Sequence, residues 1–242
     1  MGTLPEAGAA PSAGGQAAAR AGGAPWVLLP LVWCVWLLVW LAPSLLVAPY
    51  LSIPREWLAA DSAPAAVVAA AALFLVAIWP FWPALAGHPP GGRITGRWLG
   101  RTVLEAAILA ALAAPFVLVA WSVGGRTMQF GPLAAAAGGL IVLGLSVRLA
   151  AAGIGPGGTR WLMLVAALAC SGPVLLAYAG TETMQLPLER VLAASPVVGA
   201  VRLAVHGWTE PTWPQAAGVV LGGMLVFVLL GLSFRRRGAS RA

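Results

Sequence analysis

The stretch Ala65–Ala86, AAVVAAAALFLVAIWPFWPALA, runs for some twenty residues without a charged, hydroxyl or amide side chain. As an α-helix rising 1.5 Å per residue, about 20 such residues cross the ~30 Å hydrocarbon core of a bilayer. The run is continuously apolar rather than alternating, and it is too long for a strand of a membrane barrel. It therefore predicts a transmembrane helix. Five more runs of similar character lie at Trp26–Ala48, Thr102–Val123, Leu133–Ala152, Trp161–Ala179 and Gln215–Phe234. The expected fold is an all-α, polytopic membrane bundle of six helices. Pro30, Pro43, Pro115 and Pro173 fall inside runs, where neighbouring helices can satisfy the carbonyls that proline frees. The fourth run, with Ala134–Ala137 and Gly138–Gly139, is the least hydrophobic.

Composition agrees. Hydrophobic residues make up 60% of the 242 and charged ones only 9%, against about 25% charged in an ordinary soluble domain. Too little polar surface exists to cover a soluble fold, so the solvent must be largely lipid. The length suits one bundle. Residues Met1–Pro25 are rich in Ala, Gly and Pro without apolar periodicity, and are expected to form a disordered cytoplasmic tail. They lack the apolar core of a signal peptide, and Glu6 stands where myristoylation wants Ser or Thr. The bundle then occupies 26–234 and a basic tail 235–242. Every basic side chain is arginine, which with abundant Ala, Gly and Pro points to a GC-rich bacterial genome and an inner-membrane address.

The net charge of +7 comes from arginines clustered beside apolar runs. That is a topology signal rather than a sign of nucleic-acid binding. With the N-terminus inside, the inner segments carry Arg20, Arg93, Arg97, Arg101, Arg148, Arg160, Arg235, Arg236, Arg237 and Arg241. The outer ones carry only Arg55, Arg126, Arg190 and Arg202. Both termini are expected in the cytoplasm. Trp57, Trp79, Trp82, Trp98, Trp121, Trp161, Trp208 and Trp213 fall near run ends, where indoles favour the headgroup layer. Cys34 and Cys170 lie inside runs at no metal-type spacing and are expected to be small packing residues.

Chemistry-bearing residues are few. Glu105 is the one acid expected within a span, and Arg101, one turn earlier, is its expected partner in an interfacial ion pair. A role for Glu105 in contact with a cytoplasmic partner is the alternative. A serine protease of the rhomboid type needs G-x-S-G, which Gly144-Leu145-Ser146-Val147 breaks. His88 and His206 fall in loops, H-E-x-x-H is absent, and no acid pair suits Mg²⁺. No catalytic residue, cofactor or metal is expected, and the chain does not read as an enzyme. Gly218 and Gly222 form G-x-x-x-G in the sixth run, a spacing that lets helices approach closely.

The loop Thr181–Pro214 is the longest, yet its centre, LERVLAASPVVGAVRLAVHGW (188–208), has helical apolar spacing, with Val191, Leu192, Ala194, Val198, Val201 and Val205 on one side. Ser195-Pro196 interrupts it, because a residue before proline avoids the helical region. Two short helices dipping into the outer face are expected, a plain outer loop being the alternative. Here the sequence resembles the permease subunits of type-2, exporter-class ABC transporters. Ala194-Ser195-Pro196-Val197-Val198 is similar to the small-residue S-P turn of their re-entrant pair. GLIVLGLSVRLAAAG (139–153) resembles the end of their fourth helix, and ACSGPVLLAYAG (169–180) their fifth. The resemblance covers about Arg93 to the C-terminus. It implies six helices, both ends inside, and transport powered by a separate ATP-binding subunit, with a second permease, identical or not, as a further partner. The inner loops Gly87–Arg101 and Gly153–Arg160, with Arg93, Arg97, Arg101, Glu105, Arg148 and Arg160, would then receive the ATPase. The first of these, HPPGGRITGRWLGR (88–101), is basic where the family often carries acid. G-x-x-x-x-G-K-[ST] is absent, so any such ATPase is another chain. A non-catalytic scaffold of an envelope or respiratory complex is the alternative function.

Overall fold

The computed structural model describes residues 24–50, 62–86, 95–124, 128–154, 156–184, 192, 195–208, 217, 218, 220–225 and 228. Among these residues every regular element is helical and no strand occurs. In chain order the elements are α1 (Ala24–Tyr50), α2 (Ser62–Leu73), a π-helical turn (Phe74–Ile78), a 3₁₀ turn (Trp79–Phe81), α3 (Trp82–Leu85), α4 (Gly96–Gly124), α5 (Phe130–Ile154), α6 (Pro156–Met184) and α7 (Pro196–His206). The described residues from 217 to 228 are also helical, within the sixth run. Among the described residues three helices are long and apolar enough to cross a membrane: Ala63–Leu85, Gly96–Val123 and Phe130–Ile154.

The helices outrun the apolar stretches that predict them. Ala24 and Pro25, expected in the tail, begin α1. α4 starts at Gly96 rather than Thr102, so Arg97 and Arg101 sit on its first turns instead of in a loop. Likewise Gly153 lies in the last turn of α5, and Arg160 lies four residues into α6, which opens at Pro156. An apolar run marks only the hydrocarbon slab, and a helix continues through the headgroup layers, where arginine reaches polar surroundings. Met1–Gly23, Arg93 and the tail 235–242 lie outside the described residues.

The segment Ala63–Leu85 is the pillar of the bundle. Its most apolar stretch is 61% buried, against 44% for that of α5 and 17% for that of α4. α1, α4, α5 and α7 pack around it, and α6 meets its π turn. Pro80 and Pro83 explain its broken regularity, since neither can donate to the preceding turn. The π turn is visible in the bond from Trp79 N–H to Phe74 O, five residues back. α1 is docked by two indoles: Trp33 Nε1 donates to Leu109 O at 2.8 Å and Trp36 Nε1 to Ala70 O at 2.9 Å. The Trp33 ring also lies 4.6 Å from that of Phe74. Buried indoles need such acceptors. The headgroup expectation fails for Trp79 and Trp121, which are core residues, while Trp161 and Trp208 are exposed. Cys170 is buried, Cys34 half-buried, and both are free thiols.

Candidate functional site at two depths of the bundle

The first feature is a buried ion cluster six residues from the end of α5. Arg148 Nη1 donates to Glu105 Oε2 at 2.7 Å, and Arg101 Nε stands 3.3 Å from Glu105 Oε1. The Arg148 side chain is 5% exposed, that of Glu105 12% and that of Arg101 54%. The principal partner of Glu105 is therefore Arg148, from another helix, and not Arg101 alone. Arg148, expected on an inner segment, is instead buried within α5. Helical spacing gathers the α4 contribution, because Trp98, Arg101 and Glu105 follow at three and four residues and share one face.

α5 reaches this position through Gly144, one turn before Arg148. Any side chain there would strike Leu75 O of the π turn and meet the Trp79 ring at 3.2 Å. With only hydrogen at Gly144, α5 lies close against the pillar. The Arg148 guanidinium carbon consequently sits 5.3 Å from the Trp79 ring centroid and 5.9 Å from that of Trp98. Both are cation–π distances. Among the described residues, Trp79 Nε1 and Arg148 Nε are buried without an acceptor. The cluster contains no nucleophile. It is a charged joint between α4 and α5, two helices that otherwise touch sparingly.

The second feature is the start of α7. Ser195 is extended (φ −80°, ψ 126°), as the residue before a proline should be, and Pro196 opens the helix. The Ser195 side chain caps the helix, accepting from Val198 N–H at 3.5 Å, and its hydroxyl donates to Cys170 O at 2.9 Å. Cys170 is midway along the 29-residue α6, about 21 Å from either end at 1.5 Å per residue. It is next to Ala169, whose carbonyl loses its helical donor to Pro173. Ser195 is fully buried.

The other end of α7 is fixed as well. Gly207, at φ 76°, closes the helix by donating to Leu203 O, and any side chain on it would strike Gln129 Oε1. Trp208 Nε1 lies 3.4 Å from where a side chain on Gly131 would begin. α7 thus rises from mid-bundle to the end where α5 begins. Its 11 residues span about 16 Å, roughly half a hydrocarbon core. The chain leaves α6 at Met184, and Ser195 lies at the middle of α6.

The expected apolar side of this segment is corrected. Pro196, Val197, Gly199, Ala200, Leu203 and Ala204 are buried, whereas Val198, Val201 and Val205 are only half-buried. Small residues let α7 approach α2 and α5 closely, so the Gly/Ala side goes inward and the valines do not. Of the first arm only Leu192, helical and half-buried, is described; Val191 and Ala194 lie outside the described residues. In the sixth run, a side chain on Gly218 or Gly222 would meet nothing within 4 Å among the described residues, while Gly223 abuts Leu143 and Val220 approaches Gly139.

An all-helical membrane protein, with a buried charge joint between α4 and α5 and a short capped helix that starts beside the middle of α6, is what the fold defines. Comparison with protein-family models, curated proteins and solved structures finds no match.

Proposed function

We propose that the chain is a membrane permease subunit of the ABC type, driven by a separate ATP-binding subunit, with six spans and both termini in the cytoplasm. The observation that carries this reading is α7, anchored by Ser195 at the middle of α6 and ending beside Gln129. A short capped helix that begins at mid-membrane closes one half of the bundle without crossing it, which suits a path opened from alternate sides. α1, with 27 residues, and α6, with 29, have the length of spans, and the sixth run is helical where described. The charge joint supports the same reading. It ties α5 to the basic first turns of α4, so force applied by a partner at Arg97 and Arg101 reaches the pillar through Glu105 and Arg148.

The test is purification of the tagged full-length chain in mild detergent. An ATPase should travel with it, and its turnover should change when the permease is present. Replacing Arg93, Arg97 and Arg101 with Ala should weaken that complex, more so at high salt, because exposed charges act over only about 8 Å at physiological ionic strength. A normally inserted protein that never binds an ATPase would refute the permease reading and favour the scaffold.

A further inference from the structure

Beside α7 lies a groove of about 300 Å³ with almost wholly apolar walls. Ala135 and Gly139 of α5, Gly199 and Leu203 of α7, and Val220 and Leu221 of the sixth run form its sides, and Trp208 stands at its mouth. Small residues leave it open: Ala135, Gly139 and Gly199 present a methyl group or nothing. At the ~30 Å³ that a water molecule takes in the liquid, it has room for about ten heavy atoms. Its walls run along α7 from Pro196 to Trp208.

The flank of α7 beside the groove carries a cation, Arg202. Arg202 and His206 follow Gly199 at i+3 and i+7, and the three therefore share one side of the helix. Arg202 is half-buried and His206 exposed. Arg202 has no ion-pair partner among the described residues, although it stands about 6 Å below the end of α7. An ionised guanidinium half-buried among apolar helices is costly unless an anion meets it. Gln129 Oε1 lies against Gly207 at the end of α7, beside Trp208.

We infer that this groove is a phospholipid site: one acyl chain of an anionic bilayer lipid lies between α5, α7 and the sixth run, and its phosphate pairs with Arg202. Apolar walls within a membrane bundle select the chain, and Arg202 on the flank of α7 selects the negative headgroup. The inference does not depend on transport, and a scaffold would hold the lipid equally well.

The experiment is native mass spectrometry of the purified full-length chain titrated with dioleoylphosphatidylglycerol or dioleoylphosphatidylcholine. One phosphatidylglycerol per chain should be retained about fivefold more tightly than phosphatidylcholine, the scale of one arginine at a membrane surface. Arg202→Gln should abolish that preference and Arg202→Lys keep most of it. Ala135→Phe, which fills the groove, should lower retention of both lipids, whereas Ala134→Phe, one residue away on an exposed position, should not. Glycerol 3-phosphate should fail to compete. Equal retention of the two lipids by the native chain, or an unchanged preference in Arg202→Gln, would overturn the inference. Displacement by glycerol 3-phosphate would also overturn it, by placing a free anion at Arg202 instead of a lipid. Arg202→Gln leaves the groove walls intact, so the outcome does not hinge on whether Ala135→Phe folds.

Discussion

Replacing Glu105 with Gln should destabilise the bundle far more than removing Arg101, its neighbour in sequence. The Glu105 carboxylate holds Arg148 through the 2.7 Å bond, and the Arg148 side chain, 5% exposed, has little access to solvent. Removing one member of a buried pair leaves the other charge uncompensated and costs about 3–5 kcal/mol. Arg101 is a different case. Its side chain is 54% exposed at 3.3 Å from Glu105, and an exposed pair is worth only about 0–1 kcal/mol. Arg148→Met alone should also cost less than Glu105→Gln, because Arg101 remains to balance Glu105 and the new side chain packs between Trp79 and Trp98. In the double variant Glu105→Gln/Arg148→Met no buried charge is orphaned, and most of the loss should be recovered. The assay is thermal unfolding of the four proteins in one mild detergent, read by intrinsic tryptophan fluorescence and by loss of the monodisperse peak. On the scale of soluble domains of this size, 3–5 kcal/mol lowers the midpoint by on the order of 10 °C. If Arg101→Ala proved as damaging as Glu105→Gln, or if the double variant were no better than Glu105→Gln, the ion cluster would not be the joint described here.

Three further outcomes test the rest of the framework. Gly144→Val should cost at least the ~1–3 kcal/mol of an overpacked core, since its side chain meets Leu75 O and Trp79, while Gly138→Ala, which meets nothing within 4 Å among the described residues, should leave the melting temperature unchanged or slightly raised. Ser195→Ala removes both the cap of α7 and the bond to Cys170 O, and should lower stability by about 0.5–2 kcal/mol; a spin label at Val198 should then become more accessible to a water-soluble quencher, and unchanged accessibility would count against the anchored re-entrant helix. Cysteines introduced at Gly125 and Thr183 should react with an impermeant thiol reagent outside intact cells, whereas those at Gly92 and Gly157 should need the membrane opened; the opposite pattern would reverse the topology.

The helical character of the chain was legible because charge-free runs of membrane length leave few alternatives. The helix ends were not, since hydropathy stops at the edge of the hydrocarbon and α4 and α6 continue beyond it through Gly96 and Pro156. Ser195-Pro196 announced the start of α7, because capping and the restriction before proline are local rules. The buried face of α7 was missed, because apolar spacing alone cannot tell a valine side from a Gly/Ala side, and close approach favoured the smaller one. Arg148 was missed as the partner of Glu105 because their pairing spans 43 residues and depends on the missing side chain at Gly144. A signal existed: an acid in the third run and a base in the fourth, each too costly to stay alone in an apolar span.

These features converge on α5, which explains why its least hydrophobic stretch is tolerated. Its first half supplies the small residues Ala135, Ala136 and Gly139 that face α7 and the groove. Its second half supplies Gly144, against the π turn, and Arg148, in the charge joint. A more apolar helix with larger side chains would insert more readily, but it could neither admit α7 nor lie against Leu75 O. The broken pillar has the complementary property. Pro80 and Pro83 cost it regular hydrogen bonds, and the π turn they accompany sets Trp79 beneath the Arg148 guanidinium. Irregular backbone within an apolar span persists only where neighbouring protein covers it, and here α5 and α6 supply that cover. A shift of α5 along the pillar would therefore disturb the joint at one end and the seat of α7 at the other. The two depths of the bundle are mechanically one element.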